Sequence, residues 1–162
     1  MHSVAWDHTD AVRLRSEMAA EVGPRYADRT SIAVRDGVNA IDPADVLATL
    51  LAYAGAALAG HAVVRWNAAD LEVKRMFVRP QHRGSGVAPL LLAAAETTAR
   101  AAGRPRLVLQ TGDRQPDAVR FYERSGYQRI PVFPPYDQLP WARCYAKQLD
   151  TYFENSGTKL AT

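Results

Sequence analysis

Arg83 to Glu96 reads RGSGVAPLLLAAAE, a glycine-rich turn running straight into an apolar helix. Two readings of the turn are open: a tight corner ahead of a core helix, or a seat for an anion. The first amides of a helix lack internal partners, and the aligned peptide dipoles leave partial positive charge there. Gly84 and Gly86 carry no side chain, so an anion can come close to the backbone. Pro89 has no amide and clashes with the carbonyl four residues before it, so the helix starts no earlier than about Ser85. The amides from Gly84 to Ala88 are then expected to be free, with Arg79, His82 and Arg83 beside them. The turn has neither the Gly-Lys-Ser/Thr ending of a P-loop nor the third glycine of a dinucleotide fingerprint, so neither ATP nor NAD is favoured.

Outward from the turn, the pattern predicts a helix from about Gly86 to Ala102. Val87, Leu91, Ala94, Ala95 and Thr98 share one side of it, and Gly103 follows its end. Upstream, DLEVKRMFVRP (70–80) reads as a strand ending at Pro80. Val46 to Val64, VLATLLAYAGAALAGHAVV, is free of charge and meets the length of a membrane span. It is dilute in Ala and Gly, breaks at Gly55, and lacks a Lys/Arg-rich flank or an aromatic belt. It is read as a buried β-hairpin. Downstream, PRLVLQT predicts a strand, and QPDAVRFYERSG a second helix with Pro116 near its start and Gly126 past its end. YQRI and WARCYAKQL close the chain as strands. Near the beginning, DHTDAVRLRSEMAAEV predicts a helix capped by Thr9 or Asp10, with Val12, Met18, Ala19 and Val22 as its apolar stripe. Gly23-Pro24 stops it, and Thr30 to Ala44 reads as loop. A crossover helix between strands implies a parallel pair in a mostly antiparallel sheet, so the fold class is α/β (α+β) with flanking helices.

The length of 162 residues suits one domain, taken as 1–150, with a polar tail over 151–162. Hydrophobic residues at 48% and charged residues at 23% exclude disordered and fibrous classes. The net charge of +3 suits an anionic ligand, but Lys74, Lys147 and Lys159 stand apart and form no basic stripe, which argues against nucleic acid. Cys144 is the only cysteine, so no internal disulfide forms and a reducing, cytoplasmic setting is expected. MHSVAWDHTD holds no apolar segment of a secretory signal, and no membrane attachment is expected. His2, His8, His61 and His82 lack metal-ligand spacing, so no metal is expected; His61 and Cys144 read as buried strand residues.

With its flanks, VRPQHRGSGVAPLLLAAAE resembles the acetyl-CoA motif of the GNAT superfamily of N-acetyltransferases, Gln/Arg-x-x-Gly-x-Gly/Ala between the fourth strand and a long helix. Arg83-x-x-Gly86-x-Ala88 and Gln81-x-x-Gly84-x-Gly86 both match; the first lies against the helix start and keeps the Val78-x-Pro80 lead-in. LQTGDRQPDAVRFYERSGYQRI resembles the family's next block, through Ala118, Tyr122, Gly126 and Tyr127. The likeness spans Val46 to about Leu149. The chain departs from the family at Pro89, where a helix former is usual, and at QTGDRQ, where Asn is frequent.

The resemblance implies a GNAT-like sheet, mostly antiparallel with a splayed parallel pair, and acetyl-CoA as co-substrate. Its pyrophosphate is expected on the amides of Arg83, Gly84, Ser85, Gly86, Val87 and Ala88, with Gln81 and His82 also among the cofactor-binding residues, and its pantetheine arm on the backbone of Met76, Phe77 and Val78. Direct transfer to a primary amine of a small molecule is implied. The alternatives are a protein acceptor or a non-catalytic acyl-CoA sensor, and a homodimer is left open. Tyr122 is the expected acid, against a core tyrosine; Phe121 next door shows that packing alone accepts Phe. Glu72 is the expected base, against a surface ion pair with Lys74 on the same strand face. Tyr26 and Tyr136 are expected on the acceptor side.

Overall fold

The structure is a computed structural model that describes residues 1–29 and 37–149. The first part of the expected loop (30–36) and the expected polar tail (151–162) lie outside the described residues.

The order of elements is β1 (His2–Val4), α1 (Thr9–Val22), β2 (Val46–Ala54), β3 (Ala57–Asn67), β4 (Asp70–Val78), α2 (Val87–Ala101), β5 (Arg106–Gly112), α3 (Pro116–Arg124), β6 (Gln128–Ile130) and β7 (Ala142–Gln148). The strands form one sheet in the order β1-β2-β3-β4-β5-β7-β6. Every neighbouring pair is antiparallel except β4 and β5. The charge-free run is the β2–β3 hairpin, turning at Gly55 with φ +60°. No helix among the described residues is long and apolar enough to cross a membrane.

The two sheet faces are covered differently. On one, α2 lays Val87, Leu91, Leu92, Ala95 and Ala99 over Leu50, Val64, Leu71, Val73, Leu107 and Leu109. Leu91 and Ala95 are fully buried, as the helical pattern requires. On the other face, Ala11 and Leu14 of α1 pack on Leu51, Leu58 and Phe77. Beyond them Val38, Tyr136, Leu139 and Cys144 form a third cluster under the proline-rich stretch before β7.

Four expectations change. The first helix buries Ala11 and Leu14 while Val12 is 44% exposed, because the face it turns to Leu51, Leu58 and Phe77 is the one that carries Ala11, Leu14 and Met18. Its cap is His8, whose Nδ1 accepts from the Asp10 amide at 3.2 Å, not Thr9 or Asp10. Gly23-Pro24 ends the α-helix, yet the chain continues as a 3-10 turn over Gly23–Arg29. β1, too short and polar to be read as a strand, is an edge strand whose Ser3 sits opposite Leu50.

Candidate active site

The parallel pairing of β4 with β5 covers only Leu71–Val73 against Leu107–Leu109. Past Val73 the strands separate. β4 stays bound to β3, where Phe77 lies opposite His61 and Val78 opposite Gly60, but among the described residues it has no strand partner on its β5 side. A bulge helps to open the gap. His61 and Val63 are two residues apart on β3, while their partners Phe77 and Lys74 are three apart on β4. Arg75, in the bulge, has φ +53°, and its carbonyl lies 2.8 Å from Nδ1 of buried His61. Burial lowers His61 to about 4, so the ring is neutral near pH 7 and Nδ1–H donates to that carbonyl.

The gap between the strands is a cavity of about 310 Å³. Tyr26, Lys74, Arg75, Met76, Tyr122 and Trp141 are among its walls, so it reaches from α1 across the splayed strands to α3. Tyr122 is 8% exposed, and its hydroxyl donates only to the Met76 sulfur, at 3.8 Å. Burial raises its pKa, so the phenol keeps its proton. Tyr26 closes the α1 end. Its hydroxyl accepts from the Arg114 amide at 2.9 Å, and it lies so close to β5 that a Cβ on Gly112 would stand 2.0 Å from it.

The glycine turn lies at the start of α2. Gly84 and Gly86 have φ +76° and +88°, and Gly86 caps the helix in the left-handed conformation. Among the described residues, the amides of Gly84, Ser85, Gly86, Val87 and Ala88 donate to no other group, and Leu90 makes the first bond back, to the Gly86 carbonyl at 3.2 Å. Nothing lies within 4 Å of where a Cβ of either glycine would be, so both glycines border open space. The neighbouring cations are engaged: Arg79 grips Glu17 at 2.6 and 2.7 Å, and Arg83 grips Glu21 at 2.7 and 2.9 Å. Of the other residues expected there, Gln81 and His82 lie in a 3-10 turn over Pro80–His82, whose last carbonyl accepts from Ser85 Oγ.

Glu72 and Tyr136 meet elsewhere. Glu72 is fully buried and does not line the cavity. Its Oε1 accepts from the Tyr136 hydroxyl at 2.6 Å, and its Oε2 accepts from Arg65 Nε at 2.9 Å and Asn67 Nδ2 at 3.3 Å. Lys74 and Arg65 donate to the same Tyr136 hydroxyl, at 2.6 and 3.1 Å. The expected surface ion pair of Glu72 with Lys74 is therefore a buried network joined through Tyr136, which is itself fully buried. Tyr136 is pulled in because the stretch carrying it packs Phe133 and Leu139 on the sheet, leaving its hydroxyl among charges that need partners. The residues sequence reasoning missed are Arg29, Lys74 and Arg75 as cavity cations, and Trp141 as a further wall. The signal was there in EVKRMFV, two adjacent cations followed by an apolar run and preceded by a single carboxylate, Glu72.

Comparison with known proteins agrees with this geometry. An Azospirillum brasilense IAA acetyltransferase is 40% identical over 78 residues, 48% of this chain and 51% of that protein. The aminoalkylphosphonate N-acetyltransferase of Salmonella typhimurium is 41% identical over 58 residues, 36% of this chain and 38% of that protein. The chain thus matches about half the length or less of these curated relatives. Among solved structures, a Klebsiella pneumoniae protein described as a candidate acyl-CoA N-acyltransferase superposes with a TM-score of 0.73 at 26% identity, covering 92% of this chain and 96% of that one. The family model of the GNAT acetyltransferases matches residues 10–127. The splayed parallel pair, the open amides at the head of α2 and this match agree: the chain belongs to the GNAT acetyltransferase family.

Proposed function

We propose that this protein transfers an acetyl group from acetyl-CoA to the primary amine of a small molecule. One observation carries this: β4, whose edge is left unpaired past Val73, walls a cavity together with Tyr122, and the chain that leaves β4 runs into the unpartnered amides of Gly84–Ala88 at the head of α2. The residues fit the co-substrate. Amides and helix dipole at the turn suit a pyrophosphate, and the free edge of Met76–Val78 suits an extended chain of amides. When bound, acetyl-CoA supplies an acetyl group activated as a thioester.

The chain's own groups do the rest. A main-chain amide on the free edge of β4 polarises the carbonyl under attack. Tyr122 holds its proton at the phenolic oxygen until the departing sulfur needs it. The walls of the cavity orient the amine. Among the described residues no carboxylate or imidazole lines the cavity, so the amine's proton is assigned to solvent. Glu72, expected as the base, serves instead as an anchor for Arg65 and Tyr136. The small-molecule acceptor is supported by the relative named for aminoalkylphosphonates.

The test is titration calorimetry with acetyl-CoA, followed by thiol release with polyamines, amino acids, aminophosphonates and peptides. Binding plus release with a small amine is the expected result. Absence of binding at millimolar acetyl-CoA overturns it, and release with peptides alone moves the acceptor to protein.

A further inference from the structure

The charges around the cavity are one-sided. Arg29, Lys74 and Arg75 line it, and among the described residues no Asp or Glu does. Arg29 is accounted for, since it pairs with Asp113 at 2.8 Å and lies over the Trp141 ring at 5.0 Å. Arg75 and Lys74 are not. Arg75 makes a single side-chain hydrogen bond, from Nη2 to the Asn39 carbonyl at 2.8 Å, and no ion pair among the described residues. Lys74 donates to the Tyr136 hydroxyl and likewise has no carboxylate of its own. The nearest candidate, Glu72, is already taken by Arg65, Asn67 and Tyr136. Burying cations without a counter-ion is costly, and here the cost shows: burial pushes Lys74 down to about 8 and also lowers Arg75. Glu72 reaches Lys74 only through the shared Tyr136 hydroxyl, so a negative group in the cavity would supply the counter-charge that Arg75 lacks. A guanidinium with free N–H groups matches the paired oxygens of a carboxylate or phosphonate.

We infer that the acceptor is an acidic amine, one whose carboxylate or phosphonate is held by Arg75 with Lys74 beside it. This rests on the acetyltransferase reading of the same cavity. A polycationic acceptor such as a polyamine is disfavoured by the same charges. Arg75 is placed for this by the bulge, which turns its backbone to φ +53° where β4 has left β5.

The experiment compares matched ligands on the whole chain: 2-aminoethylphosphonate against ethanolamine, and β-alanine and phenylalanine against their amides. Binding is read by calorimetry with and without coenzyme A, and turnover with acetyl-CoA. The acids are expected to bind, and to be acetylated, at least about tenfold better than their neutral partners. Arg75→Gln should bring that ratio toward one through KM, and Arg75→Lys should restore part of it. A preference for the phosphonate alone, or for carboxylates alone, assigns the acidic group. Acids binding no better than neutral amines overturns the inference, whether or not acetyl-CoA binds. Loss of acetyl-CoA binding, seen in the separate titration, overturns the acetyltransferase reading instead.

Discussion

The Tyr122 hydroxyl of α3 donates to the Met76 sulfur of β4 at 3.8 Å, across the gap where β4 and β5 part. Thioether sulfur is a weak acceptor, so this proton is held loosely in place and is free to be offered to a better one. Tyr122→Phe keeps the ring, which packs on Phe121 and Tyr127 at centroid distances of 5.3 and 5.9 Å. Turnover should fall by about 10²-fold while acetyl-CoA affinity moves less than about threefold. Steady-state kinetics beside calorimetry decides it, and unchanged turnover returns Tyr122 to a packing role.

Gly86→Ala probes the turn. The space beside Gly86 is open, so the only penalty is the backbone at φ +88°, about 1 kcal/mol. Thermal melts should show that modest loss, and acetyl-CoA binding should weaken with it. If affinity is unaffected, the turn is a corner and not a seat.

Removing one oxygen should loosen the proline-rich stretch. In Tyr136→Phe, Glu72 Oε1 and Lys74 Nζ each lose a buried partner. The expected cost is about 1–3 kcal/mol in urea unfolding, since buried polar groups left unpaired bear their full desolvation penalty. A variant as stable as the parent would mean the hydroxyl is dispensable.

His61 makes stability depend on pH. Its folded value is about 4 against 6.5 when free, so between those limits the unfolded chain takes up a proton that the fold refuses, with Arg15 and Arg75 adding repulsion. The contribution is complete above pH 6.5 and is lost as pH falls toward 4, by about 3 kcal/mol. His61→Gln can keep a donor for the Arg75 carbonyl while removing the titration. Carboxylates titrate in both proteins, so the parent's stability should fall more steeply than the variant's as pH drops through that window, and the difference between the two curves should change by about 3 kcal/mol. Parallel curves would contradict a neutral buried His61.

Local patterns carried much of the architecture. Gly55 split a charge-free run into two strands because a positive φ there costs glycine little, and Pro89 marked which amides α2 cannot use. The strand-turn-helix around Gly86 and the Tyr122 helix likewise rest on short-range propensity and spacing, which are local properties of the chain. β1 escaped notice because its pairing with β2 is a nonlocal contact made by polar residues.

The roles of single polar residues were decided elsewhere. Alternation put Glu72 and Lys74 on one face, yet only the packing of Phe133 and Leu139 brings Tyr136 down between them and turns a surface pair into a buried network. In the same way, a run of two cations becomes a cavity wall only because pairing with β5 stops at Val73 and a bulge swings Arg75 round. The sequence by itself determined most of the elements, the glycine turn at the head of α2 and the family. The tertiary structure alone decided which charges are left without partners, because a counter-ion is chosen by distance in space and burial, neither of which the order of residues records.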